Sequence, residues 1–529
     1  MAVKRVREGA KVVSYAPKGN EDPTPDWLLV SMLKAISSEQ SHFGRLRQYV
    51  EGDPPKPETP GSVQDSWEEF EQFRQKSRTN YAELIIGACL DRTIILGFRT
   101  AAANDEDGDL EAERLWDLND MDVRSDRTHS DMFTYGRSGL LANPFTKRAQ
   151  DFRPWQYHLI NDMAGQPVAA VTLEHNPIQA RDYAYLWMRE VDDFGIATGP
   201  VVCHIAVRDR ENKPWQGGQF KTEVPLGTYL PQRWVWWKTE VTSLERLPVV
   251  EFQNREAVGE FERHTDVLDR INHMLLQRVV IATMQAFKQR ALKGEFPEFD
   301  KDGNPIDYDK LFPSSPGAMW LIPPDSEMWE SGQTSIQEIL ASVKDDVRDL
   351  AAVTRTPMTY FSPDAANGSA EGASLQREGY TSKVDDRKAR MAGRWRAFMS
   401  LMFEINGDAV RSDISKLEIL WTPTEVLSLA ERYSSGSQAK GMGLPLKTIM
   451  REVLHYTPKQ MRAAELERIS EALTAVASTP TVAAGTQPNG GDAPSLTPLQ
   501  RSAQAREALA SSNGANSRST GATSGRAGQ

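Results

Sequence analysis

Cysteine is nearly absent from the 529-residue sequence: there are two, Cys89 and Cys203, each inside an apolar segment. Two separated thiols supply neither a disulfide framework nor a cysteine zinc site, and their setting predicts small buried hydrophobes in a reducing compartment. Long hydrophobic runs are missing too. LIIGACL and VVIATM are the strongest candidates, far short of the roughly 20 apolar residues that cross a bilayer, so no membrane partner is expected. The N-terminal residues lack the hydrophobic core of a secretory signal. Positive charge is in deficit, with 62 Lys and Arg against 73 Asp and Glu and a formal charge of −11. That excludes a sequence-independent nucleic-acid coat, whose binding is mostly phosphate neutralisation, but leaves nucleic acid as something passed rather than held. Residues 477–529 contain no aromatic side chain and consist largely of Ser, Thr, Gly, Ala and Pro. Such a tail cannot bury enough surface to fold alone and is expected to be disordered.

Catalytic signatures are equally scarce. The run GSQAKGMG places Gly436 and Gly441 at phosphate-loop spacing, but Met442 and Gly443 stand where lysine and a magnesium-binding hydroxyl are required. No HExxH, deaminase or GxSxG pattern occurs. In DKDGN, residues 300–304, the glycine comes too early for a calcium loop and the closing glutamate is missing, so a turn between strands is expected. Asp117, Asp120, Asp122, Asp126 and Asp131 are compatible with a two-metal nuclease site. On a helix and its cap, however, they point in several directions, and a solvated face is the simpler reading. No catalytic residue, metal or cofactor is expected.

What the chain does have is helix. Phe261, Leu268, Ile271, Leu275, Val279, Ala282 and Ala286 form a stripe at helical spacing, predicting a helix over 261–293. At 1.5 Å per residue it would be roughly 50 Å long, wider than a small domain, and would pack against copies of itself or a partner. A second helix is expected over 334–357, and between the two lie 40 residues with six prolines and no helical period. This reads as a hairpin-like pillar with a module at its tip. A long core helix of a large α+β protein accounts for the periodicity alone.

Elsewhere, residues 1–25 read as a mobile arm, 27–50 as a helix, 66–93 as helical with an interruption at 77–80, and 94–98 as a short strand. Residues 110–135 read as helical again. Between 139 and 250, segments such as VAAVTLEH, AYLWMREV and WVWWKTEV alternate with turns, predicting a mixed sheet module. A long helix over 374–406 ends at Gly407, LEILWTP reads as a strand, and 425–476 as several helices.

Three runs, in order along the chain, carry a resemblance. QKSRTNYAELIIGACLDRTIILGFR (75–99), WDLNDMDVRSDRTHSDMFTYGRS (116–138) and LAAVTRTPMTYF (350–361) resemble segments of the portal proteins of tailed double-stranded DNA phages, especially those with long non-contractile tails. LRQYVEGDPPKP is loosely similar to a further one, and the resemblance spans about residues 46–466.

The resemblance implies an α+β fold with a mixed α/β wing over 26–260 and, in part, 374–424. It implies a helical stem of 261–293 and 334–357, a β-containing clip insert at 294–333, a channel loop at 358–373 and a helical C-terminal crown at 425–476. It further implies a homo-oligomeric ring, usually of twelve subunits, in the virion at one capsid vertex, assembled in the host cytoplasm. Double-stranded DNA would pass through it, and its implied partners are the terminase large subunit, a head–tail connector or adaptor, and a major capsid or scaffold protein. Carried onto this chain, the channel loop would present Phe361, Asn367, Gly368, Ser369 and Gly372, with Lys344, Arg348 and Arg355 as basic residues along the channel. The clip would present Phe296, Phe299, Asp300, Asp302, Tyr308 and Trp320 at an interface. A DNA-packaging enzyme (nuclease or ATPase) and a non-ring minor head or scaffold protein are the competing readings.

Overall fold

Thr24 caps the first helix: its hydroxyl oxygen accepts from the Trp27 amide at 3.2 Å, and Pro25 occupies the first turn, where a missing N–H costs nothing. This helix, α1 (Pro25–Val50), turns Leu29, Leu33, Ile36, Phe43 and Leu46 into the core. The structure is a computed structural model that describes residues 6–13, 16, 23–58, 67–102, 108–192, 196–209, 233–286, 290–293, 298–299, 302–307, 327–330, 332, 335–362, 370–425 and 429–478. Its contacts divide into two units, Met1–Ala463 and Ala464–Gln529.

In the first unit α1 is followed by α2 (Trp67–Lys76), α3 (Tyr81–Leu90), β1 (Ile95–Arg99), α4 (Leu110–Leu118) and α5 (Met121–Tyr135). The sequence reads 110–135 as helical, and the chain breaks it into two helices at Asn119 and Asp120. Asn119 donates its side-chain amide to the Leu115 carbonyl at 2.7 Å and accepts from the Ala149 amide at 2.9 Å, while Asp120 is left-handed at φ 50°. Asn and Asp leave a helix cheaply because their short side chains bond locally to backbone.

Eight strands follow: β2 (Arg137–Asn143), β3 (Arg148–Phe152), β4 (Tyr157–Asn161), β5 (Pro167–Asn176), β6 (Arg181–Val191), β7 (Ala197–Asp209), β8 (Val235–Val241) and β9 (Val249–Gln253). They form a three-stranded sheet, β3-β2-β9, and a five-stranded meander, β4-β5-β6-β7-β8, with every pairing antiparallel. Alternation along β6 sets the faces: Asp182, Ala184, Leu186 and Met188 project to one side, Tyr183, Tyr185 and Trp187 to the other. The edge of β8 is covered by the segment read from sequence as a mobile arm. Gly9 and Val12 donate to the carbonyls of Trp236 and Trp234 at 2.8 and 3.0 Å, supplying the partners an edge strand needs.

The pillar comprises α6 (Thr265–Ala286), β10 (Arg290–Lys293), β11 (Glu327–Glu330) and α7 (Ile336–Val353). Helix α6 is thus shorter than the predicted 261–293, about 33 Å at 1.5 Å per residue for its 22 residues. Its start is displaced by a 3-10 turn at Glu262–His264, and its end by the pairing of β10 with β11. That pairing sets Lys293 opposite Glu327, an exposed ion pair at 3.5 Å. Leu268, Ile271 and Leu275 are buried together with Val343, Val347 and Leu350 of α7, whereas Val279 is half-buried and Ala282 exposed.

Helix α8 (Ala370–Asn406) runs through the core, followed by β12 (Glu418–Trp421), which pairs with β1, and by α9 (Leu429–Gly441), α10 (Leu446–Glu452) and α11 (Pro458–Ser478). Trp395 of α8 is fully buried, 4.9 Å from the Phe252 ring and 5.4 Å from Trp116, with its indole N–H donating to His129 Nε2 at 2.9 Å. Cys89 and Cys203 are buried and unpaired. In the second unit the described residues are helical and expose Leu466, Ile469 and Leu473. Residues 477 and 478 are the last of that helix, and the expectation for the remaining tail lies outside the described residues.

Candidate functional site

The end of α7 carries a backbone conformation that its sequence does not favour. Arg355 donates its amide to the Ala352 carbonyl at 3.1 Å and Thr356 to that of Ala351 at 2.9 Å, the paired bonds of a Schellman cap. Such a cap requires the first residue past the helix to be left-handed, and Arg355 has φ 51°. Helix α8 ends in the same motif with Gly407 at φ 85°. Glycine takes that position at no steric cost; arginine costs about 1 kcal/mol there. Strain of this kind points to a side chain retained for another purpose.

Beside Arg355 lies a buried ionic junction. Glu260, just before α6, accepts from Arg387 Nε at 2.6 Å and pairs with Lys383 Nζ at 3.0 Å, both cations projecting from α8. Burial alone would raise the Glu260 carboxyl, but Lys383 and Arg387 outweigh it and hold the group below the usual carboxylate range. Lys383 Nζ also donates to the Thr354 carbonyl at 2.8 Å. One cluster therefore ties the beginning of α6, the end of α7 and the middle of α8. It faces a cavity of about 490 Å³ whose lining includes Arg255, Arg263 and Arg355.

Beyond Arg355 the chain is pinned on both sides of residues 363–369. Phe361, half-buried, stacks edge-on to Tyr81 at 5.6 Å, and the Tyr360 hydroxyl donates to Asp91 at 3.2 Å. On the far side the Tyr380 hydroxyl donates to the Ala88 carbonyl. Both anchors rest on α3 and the turn after it. Asn367, Gly368 and Ser369 lie outside the described residues, and Gly372 stands in the first turn of α8, which begins before the end of the predicted 358–373 loop.

Lys344 and Arg348 lie one turn apart on the exposed side of α7; Arg348 pairs with Asp345 at 2.9 Å. In the insert, Phe299 and Asp302 are exposed, Phe299 bridges to Pro305, and Gly303 has φ 80°. Asp300 and Lys301 of DKDGN lie outside the described residues, as do Phe296, Tyr308 and Trp320. Among the described residues no group of His, Cys, Asp or Glu is placed to hold a metal ion, and no helix is long and apolar enough to cross a membrane.

The family model "Phage portal protein, SPP1 Gp6-like" matches residues 213–478, half of the chain. The chain belongs to this phage portal family. The match takes in both pillar helices, the insert and the junction. The curated "Portal protein" of Mycobacterium phage D29 is similar, 22% identical over 385 residues that cover 69% of this chain and 73% of that protein. Portal proteins are structural rather than enzymatic, which disposes of the nuclease and ATPase reading.

Sequence reading missed the portal junction because its parts are far apart: Glu260 and Arg387 are separated by 127 positions. One local signal existed. Lys383 and Arg387 are like charges four apart on a helix, a destabilising arrangement unless an acid from elsewhere sits between them.

Proposed function

We propose that this portal protein assembles as a ring of twelve copies at one capsid vertex, admits double-stranded DNA during packaging and releases it at ejection. In this reading α6 and α7 form the stem, residues 294–333 the clip, the chain following α7 the channel loop and α9 to α11 the crown. The clip docks the terminase large subunit and later a head–tail connector or adaptor, while the outer mass meets the major capsid or scaffold protein. Assembly takes place in the host cytoplasm and the ring ends in the virion. The family match across 213–478 carries the reading, because that segment contains the helix pair, its tip insert and the pinned loop together.

The net negative charge suits a conduit, since a wall that repels phosphate lets a duplex slide, and Lys344, Arg348 and Arg355 supply exchangeable contacts. The test is to place lysine at Asn367 and Ser369 and follow packaging in assembled particles. Slower, salt-dependent DNA movement with intact rings is expected, because added phosphate contacts strengthen retention. Unchanged packaging would remove residues 358–373 from the channel wall.

A further inference from the structure

Away from the pillar, α1, α5, β3 and β5 line an open cavity of about 480 Å³ whose wall includes Arg47, Arg124, Arg127 and Arg153. Ion pairs match these guanidiniums unevenly, although the Asp131 carboxyl is close enough to interact electrostatically with Arg153 and Arg127. Arg124 and Arg127 share the single carboxylate of Asp151, and Arg47 is paired with Glu51. Arg153 has no ion pair among the described residues; its guanidinium lies over the Trp155 ring, 5.5 Å from the centroid. Glu174 also lines the cavity; burial pushes its carboxyl up, and its Oε1 is buried without a hydrogen-bond partner.

His175 completes the wall. Only 4% of its side chain is exposed, and its Nδ1 donates to Asp182 at 2.8 Å, while Arg208 holds the other Asp182 oxygen at 2.6 Å. This fixes the ring and leaves Nε2 without a partner among the described residues.

We propose that this cavity is a binding site for a phosphate group, separate from any contact the portal makes with DNA in its channel. Planar guanidinium forks match phosphate oxygens with two parallel hydrogen bonds, and several can address one tetrahedral anion at once. A carboxylate, with two coplanar oxygens, satisfies fewer of them. The phosphate can come from a free small molecule or from a nucleic-acid backbone.

The test is titration calorimetry on the full chain with inorganic phosphate, deoxyadenosine monophosphate, a short DNA duplex and an oligoglutamate peptide, repeated with Arg127→Gln/Arg153→Gln. Arg127 is exposed and Arg153 half-buried, and an unchanged melting temperature certifies the fold; if it shifts, each single variant replaces the pair. Binding of inorganic phosphate or the mononucleotide, weakened at least tenfold in the variant, supports a small-molecule phosphate site. Duplex binding that free phosphate displaces and the variant weakens assigns the site to a nucleic-acid backbone. The proposal is overturned by absence of phosphate binding in the native chain, by affinity that the variant leaves unchanged, or by a site that takes oligoglutamate and not phosphate.

Discussion

Lys383 donates from Nζ to the Thr354 carbonyl oxygen at 2.8 Å while pairing with Glu260 at 3.0 Å, so α8 holds the last turn of α7 and the approach to α6 with one side chain. Lys383→Met removes one of two cations from a buried carboxylate and frees a buried carbonyl. A loss of about 2–3 kcal/mol is expected in urea unfolding, together with looser pinning of the segment after α7. A loss below about 0.5 kcal/mol would mean that Arg387 alone neutralises Glu260.

Arg355→Gly should separate stability from function. Glycine relieves the left-handed strain, so the urea midpoint should rise by the equivalent of about 1 kcal/mol. Under the proposed channel role of Arg355, its loss should at the same time flatten the salt dependence of DNA packaging. A destabilised variant would contradict the strain, and an unchanged salt dependence would turn Arg355 away from DNA.

Gly136 joins α5 to β2 with φ 79°, and a Cβ there would stand 2.1 Å from the Ala257 carbonyl oxygen. Both the dihedral and the contact forbid a side chain, so Gly136→Ala should cost about 3 kcal/mol or more by denaturant unfolding. Near-native stability would mean that the 254–260 turn can yield, and with it the placing of Glu260.

Asp131 makes stability depend on pH. Burial pushes its carboxyl up to about 7 against the lowering influence of Arg153. Its ordinary value is near 3.9, so between about pH 4 and pH 7 the folded chain holds a proton that the unfolded chain releases. This contribution is complete below pH 4 and is lost as the pH rises to about 7. Asp131→Asn should therefore gain on the order of 1–2 kcal/mol over the parent at pH 8, a figure reduced for partial exposure, and much less at pH 5. Urea midpoints at both values check this, and parallel pH profiles would refute it.

Local pattern made much of the architecture legible. Met391, Trp395, Phe398, Met402 and Phe403 sit at helical spacing and are buried in α8, and the strands between 139 and 250 announce themselves by β-branched and aromatic runs broken by turns. What escaped was decided by partners distant in sequence. The helix predicted to reach 293 stops at Ala286 because Arg290–Lys293 finds Glu327–Glu330 across the insert. The N-terminal arm looked unstructured because its ordering comes largely from the β8 edge, far along the chain. Arg355 was legible as a basic residue near a loop, but its strain was not, since no residue type announces a left-handed turn that glycine would fill more cheaply. The Glu260 junction depends on a helix more than a hundred positions away.

The central claim, a ring-shaped conduit, is tested most directly by the native mass of the purified full-length assembly with class averages of the same sample. The account predicts a closed ring near twelve subunits with an axial channel wide enough for a DNA duplex. A monodisperse monomer or dimer at micromolar concentration, or a closed ring without a through-channel, would contradict it.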